Sequence, residues 1–118
     1  MTEKPVIAID IDGTIAEITT ETGYSKYNNV KPKLEVIKKV NELWFSKRFE
    51  IVLYTARGMA STNDNPQKAD ELYREITEKW LLENRVCYDR LEFGKKRYLW
   101  IIDDRALSPE MFLKQVIW

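Results

Sequence analysis

Short apolar runs alternate along the chain with longer stretches whose apolar residues recur every three or four positions. The first run, Val6–Ile11, is rich in β-branched residues and reads as a buried strand. A polar loop follows over 19–29 and ends near Lys31-Pro32. Leu34, Ile37, Val40, Leu43 and Trp44 then take the spacing of one helix face. Phe49–Thr55 reads as a second buried strand, and 58–65 as a loop. Asn65-Pro66 has the chemistry of a helix start, a side-chain cap followed by proline in the first turn. Ala69, Leu72, Ile76 and Trp80 predict the buried stripe of that helix, which runs to about Asn84. Leu91–Phe93 is a short candidate strand, and Tyr98–Ile102 is a longer one ending in Asp103-Asp104-Arg105. Ser108-Pro109-Glu110 opens a last helix with a cap, a proline and a first-turn acid.

Strand and helix in alternation predict the α/β class, with a central parallel sheet, right-handed crossovers and helices on both faces. This is a three-layer, Rossmann-like arrangement. Carboxyl ends of parallel strands share one edge, where open α/β sheets place their ligands. Asp10, Thr55 and Asp103 are therefore expected to meet. No repeat, low-complexity tract or linker divides the chain, so one domain over residues 1–118 is expected.

Composition removes several chemistries. The 19 basic and 19 acidic residues cancel, so no overall field draws nucleic acid or an anionic membrane. The start of the chain lacks a signal-peptide pattern, and no apolar run approaches the roughly 20 residues of a spanning helix. A lone Cys87 cannot form an internal disulfide, which fits a cytoplasmic setting and a structural thiol. There is no histidine. Ser-His-Asp and Cys-His nucleophile systems are thereby excluded, as are zinc sites that need imidazole.

The remaining chemistry concentrates at strand ends. Asp10-Ile11-Asp12-Gly13-Thr14 closes the first strand with two nearby carboxylates. Such carboxylates repel each other and call for a cation or a shared proton. Oxygen ligands without imidazole favour a hard ion such as Mg2+. Asp10 can accept a phosphoryl group as an aspartyl-phosphate, and Asp12 can move the proton on the leaving oxygen and on the attacking water. Gly13 permits the sharp turn, and Thr14 offers a hydroxyl beside backbone N–H groups. Thr55, with the N–H groups of Ala56 and Arg57, is a candidate phosphate cradle, and the Arg57 side chain is either a phosphate clamp or a partner for surface acids. Lys95 or Lys96 can neutralise charge on the phosphoryl group and on Asp10. Of Asp103 and Asp104, one can ligate the metal directly and the other through water. Trp44, Trp80 and Trp100 are expected in the core, whereas Tyr24, Tyr27 and Trp118 are free to cover a substrate or a partner subunit.

From Val6 to about Leu113, these motifs in this order resemble the haloacid dehalogenase-like phosphatase superfamily. The resemblance implies Asp10 as nucleophile and Asp12 as general acid/base. It implies Mg2+ held by the Asp10 side chain, the Asp12 backbone carbonyl and Asp103, with Thr55 and Lys95 on the phosphoryl group. Lys31-Pro32, Leu34 to Ile37, Tyr54 to Arg57 and Asp103 to Ala106 resemble small bacterial capsule-biosynthesis phosphatases, which implies a sugar phosphate or related metabolite. Tyr73, Arg74, Thr77 and Trp80, with Ile102 to Arg105, resemble the phosphatase domain of polynucleotide kinase-phosphatases. No insertion is large enough for a separate cap domain. The loops at 19–31 and 58–65, or a neighbouring subunit in a homo-oligomer, are expected to cover the site instead.

The leading expectation is thus a Mg2+-dependent phosphomonoesterase for a small phosphorylated metabolite, with no membrane partner. A polynucleotide 3′-phosphatase is the alternative enzyme, and zero net charge weighs against it. A non-catalytic phosphate-binding module is the alternative without chemistry.

Overall fold

The structure, a computed structural model, describes residues 3–116. Trp118 lies outside the described residues, as does the Tyr24 side chain. Three strands form one parallel sheet in the order β1 (Val6–Asp10), β2 (Glu50–Thr55), β3 (Arg90–Phe93). Helices α1 (Leu34–Phe45), α2 (Pro66–Glu83) and α3 (Pro109–Lys114) flank it, with one 3-10 turn over Tyr24–Asn28. The register sets Asp10 opposite Tyr54, and Thr55 opposite Phe93. Three strand ends therefore open onto the same edge.

The core forms where the strand and helix periodicities face each other. Ile9, Ile51 and Leu53 pack with Val40 and Leu43 of α1 and with Trp80 and Leu81 of α2. Buried aliphatic side chains on facing elements supply most of the driving force. The Trp80 indole N–H donates to the Val30 carbonyl at 2.8 Å, so its one polar atom is satisfied inside the core. At the head of α2, the Asn65 side chain accepts the Lys68 N–H at 3.1 Å, with Pro66 in the first turn. Ser108 caps α3 in the same way through the Met111 N–H at 3.2 Å. The buried Lys39 of α1 donates to the carbonyls of Phe112 and Gln115, docking α3 on α1 through its last turn.

Three expectations fail here. Leu72 was placed on the buried stripe of α2, yet it is 54% exposed. The buried face is instead Ala69, Ile76, Thr77, Trp80 and Leu81, rotated so that a hydroxyl replaces a leucine. The expected strand Tyr98–Ile102 does not form, and Trp100 is exposed rather than core. Arg97 is tied to Asp64 at 2.9 Å on one side of this segment, and α3 is tied to Lys39 on the other. Anchored at both ends, the segment passes β1 without joining its free edge, and Ile102 is left 92% exposed. An apolar run indicates a strand only when a partner edge lies within hydrogen-bonding reach.

Cys87 is half-buried, and burial pushes its thiol pKa up, away from nucleophilic reactivity. Among the described residues no helix is long and apolar enough to cross a membrane.

Trp80, at 2% exposure, and Leu72, at 54%, separate core from surface on one helix. Trp80→Ala is expected to lower unfolding free energy by about 3–5 kcal/mol, whereas Leu72→Ala changes it by less than about 1 kcal/mol. Urea denaturation followed by circular dichroism measures both. Equal losses would contradict the packing described.

Candidate active site

Asp10 is the last residue of β1, and the chain turns immediately after it. The N–H groups of Thr14, Ile15 and Ala16 all converge on the Ile11 carbonyl at 3.0 Å, closing a tight loop. Gly13 takes φ +89°, and a Cβ there would meet the Ile18 side chain at 3.3 Å. Lys33 fastens the loop from outside, its ammonium donating to the Gly13 carbonyl at 3.0 Å. The Gly13 N–H bonds the Ala16 carbonyl at 2.7 Å and that of Thr14 bonds Ile11, so these donors are used within the turn. What the turn offers outward is the Thr14 hydroxyl, which donates to Asp10 Oδ2 at 3.3 Å.

Lys95 reaches the same carboxylate from the end of β3, with Nζ 3.2 Å from Asp10 Oδ1. Its backbone N–H donates to the Thr55 carbonyl at 3.1 Å, continuing the β2–β3 ladder past Phe93 and fixing the lysine over the strand ends. Lys96 instead lines a separate hollow with Asp64 and Arg97. Burial raises the pKa of Asp10, an effect that outweighs the lowering by Lys95; the charge of Asp12 adds slightly to the rise.

Thr55 closes β2 and is buried. Its hydroxyl oxygen accepts the Arg57 N–H at 3.0 Å, which leaves its own hydrogen free to donate. The Arg57 side chain does not point at an open phosphate position. Its Nε and Nη2 donate to Asp12 Oδ2 and Oδ1, each at 2.9 Å, and Nη1 donates to Thr77 Oγ1 at 3.1 Å. The guanidinium also lies 4.0 Å from the centre of the Tyr27 ring, a cation–π contact. Gly58 makes this approach possible. At φ +79°, a Cβ there would lie 2.6 Å from the Tyr73 ring and 3.0 Å from Ala69 Cα, so the backbone after Arg57 lies flush on α2. Tyr27 packs edge-on against Tyr73, with ring centres 5.6 Å apart. Burial, then the Asp12 charge, raises its phenol pKa.

A cleft of about 500 Å³ runs beside β1 and is lined by Asp10, Thr14 and Tyr54 on one wall and by Asp103 and Arg105 on the other. Asp104 is not among its lining residues. The Arg105 backbone N–H donates to Asp103 at 2.9 Å; this bond and Asp104 hold the Asp103 pKa below the usual carboxylate range. Among the described residues no three acidic or sulfur side chains form a metal-binding group. The donor set still suits a hard cation. Asp10 and Asp103 face one cleft, and both Asp12 carboxylate oxygens accept from Arg57 rather than facing that cleft's described lining.

Sequence reasoning missed Lys33 and the partnership of Thr77 with Arg57, and it misread Tyr27, which is buried against Arg57 rather than free to cover a substrate or a partner subunit. Tyr27 and Thr77 surround Arg57, and Lys33 holds the Asp10 loop, yet each contact spans 20 residues or more of chain. No local pattern announces contacts at that separation.

No protein-family model matches the chain, and no curated protein matches it. Solved structures do. A crystal structure of a Vibrio cholerae target protein superposes with a TM-score of 0.85 at 34% identity, covering 96% of this chain and 90% of that one. A Pnkp1/Rnl/Hen1 complex gives 0.55 at 22% identity, with 96% of this chain matching 34% of that one. The D,D-heptose 1,7-bisphosphate phosphatase of B. bronchiseptica, crystallised with magnesium and phosphate, gives 0.50 at 12% identity, matching 92% of this chain and 59% of that one. These two distant likenesses concern the fold alone. Nearly end to end, the chain belongs to one family with the Vibrio cholerae protein, and its architecture is the haloacid dehalogenase-like Rossmannoid fold.

Proposed function

We propose that the chain is a Mg2+-dependent phosphomonoesterase working through an aspartyl-phosphate on Asp10. The observation that carries this reading is the pairing of Asp10 with Lys95 at 3.2 Å, at the open end of a parallel sheet. A partly desolvated carboxylate beside a cation is equipped to attack phosphorus while the developing charge is neutralised. In the first step an Asp10 oxygen bonds to phosphorus, the bond to the leaving oxygen breaks, and Asp12 supplies that oxygen's proton. In the second step water attacks phosphorus, its proton passes to Asp12, and Asp10 is released as a carboxylate. Lys95, the Thr14 and Thr55 hydroxyls and the Ala56 N–H hold the phosphoryl oxygens. Asp10, Asp103 and the Asp12 carbonyl would hold Mg2+, whose charge supplies electrostatic stabilisation of the phosphoryl group. Asp104 would meet that ion only through water.

The substrate class is a small phosphorylated metabolite, a sugar phosphate of the kind capsule assembly uses. Its support is the resemblance carried by Lys31-Pro32, Tyr54 to Arg57 and Asp103 to Ala106. The balanced charge favours such a ligand over a polyanionic nucleic acid. One domain, a cytoplasmic location and a homo-oligomer complete the reading.

Release of phosphate from an aryl phosphate with Mg2+ is expected, falling to background with a chelator and returning when Mg2+ is restored. Asp10→Asn is expected to lower kcat by about a thousandfold or more. Wild-type turnover unaffected by Asp10→Asn would overturn the assignment. Lys95→Met is expected to lower kcat by about a hundredfold, as loss of a charge-stabilising donor does, whereas Lys96→Met stays near wild type. Steady-state kinetics of both variants distinguishes the two lysines, and the reverse order would move the role to Lys96.

A further inference from the structure

We propose that Arg57 is a positioning residue for Asp12 in the hydrolytic half of the reaction. This inference rests on the phosphatase reading above. Every nitrogen of the Arg57 guanidinium is already committed, two to Asp12 and one to Thr77. Its side chain has 0% exposure, against 32% for Asp12. A group so enclosed cannot clamp a phosphate in the cleft without abandoning a buried ion pair, which is strongly unfavourable. Arginine clamps carboxylates in a planar two-bond fork, and such a fork fixes position and orientation together.

The fork approaches Asp12 from the core. Thr77 of α2, the Tyr27 ring below and the Thr55 hydroxyl on its backbone N–H hold Arg57 itself. Each Asp12 oxygen keeps a second lone-pair direction, and the Asp12 side chain, unlike that of Arg57, is partly exposed. A carboxylate that accepts both arms of the fork is the proton-accepting form. That form is present after Asp12 has given its proton to the leaving group, the interval in which water must be activated. The water oxygen then bonds to phosphorus, and its proton goes to Asp12. The phosphorus–oxygen bond to Asp10 breaks, returning its electron pair to the Asp10 carboxylate. Arg57 takes part in none of these bond changes; it keeps Asp12 where the proton arrives.

The test uses an aryl phosphate whose good leaving group needs no proton in the first step. For Arg57→Ala, kcat is expected to fall about a hundredfold, within the range lost with a general base, while kcat/KM stays within about fivefold of wild type. KM therefore falls with kcat. Acid-quenched enzyme analysed by intact-protein mass spectrometry is expected to carry phosphoryl groups on more chains than wild type does. A raised KM with kcat retained would overturn the proposal in favour of a phosphate clamp. A lower kcat with unchanged KM and no phosphoenzyme would overturn it in favour of a purely structural pair. Absence of turnover by wild type would instead defeat the phosphatase reading, and this inference with it. If Arg57→Ala fails to fold, Thr77→Val decides. It removes one acceptor from Arg57 and is expected to give the same pattern at about fivefold, the worth of one hydrogen bond; a rise in KM, or no change, would overturn the proposal.

Discussion

Two aspartates separated by one residue at a strand end repel each other, and the site exists because each has a cation of its own. Lys95 arrives from the end of β3 and meets Asp10; Arg57 arrives just past the end of β2 and meets Asp12. A single shared cation would leave the second charge uncompensated in a partly buried place, which is costly. The parallel sheet solves this problem by geometry. Because all three strands end on the same edge, residues 45 and 85 positions beyond the first motif come within an ion pair's length of it. Antiparallel neighbours would send alternate strand ends to opposite edges and separate the charges from their partners.

The carboxylates are also held from within. The Asp10 turn folds onto a single carbonyl, that of Ile11, and is stitched to the segment before α1 by Glu17 to Lys31 at 2.8 Å and by Lys33 to Ile15 at 2.8 Å. Such bonding leaves the turn little freedom and spends its backbone donors locally. In the proposed reaction the Gly13 and Thr14 N–H groups are therefore not available to a phosphoryl group, which falls to the hydroxyls of Thr14 and Thr55, the ammonium of Lys95 and the Ala56 N–H beyond β2. Sites built on rigid elements keep their geometry through a reaction, and this one stands on three strand ends and a helix.

What the sequence made legible follows from locality. The β-branched runs of β1 and β2, and the cap-and-proline signatures at Asn65-Pro66 and Ser108-Pro109, depend on neighbouring residues and match the structure. Asp10 and Thr55 at adjoining strand ends follow from those assignments. Contacts set by tertiary packing stayed hidden. Arg57 reads equally as a phosphate clamp or as a partner of surface acids, because nothing near it in the chain says that Asp12 will claim it. Leu72 was misplaced because a helix stripe of leucine and a stripe containing Thr77 differ by a modest rotation about the helix axis, and the packing of Trp80 and Leu81 in the core, with Arg57 beside Thr77, goes with the second. The Tyr98–Ile102 segment has strand composition, yet its flanks are pinned to Asp64 and Lys39, so its backbone does not reach the β1 edge.

The two cations differ in kind, and the difference suits the work the proposed reaction would give each. Lysine carries a compact charge on a flexible stem. Lys95 remains partly exposed, with Nζ also 5.0 Å from the Tyr54 ring, so in the proposed reaction it would follow negative charge as that charge moves from Asp10 to the phosphoryl oxygens. Arginine is a rigid planar fork, and Arg57 is sealed between Thr77 and Tyr27. It is held in place, and as the proposed acid/base Asp12 would need no cation that moves. A proton-transfer group performs best when its distance from the reacting oxygen is constant, because misplacement by about 1 Å can cost two orders of magnitude in rate. Exchanging the two would put the mobile charge behind the group that must stay still and the fixed fork beside the charge that must move.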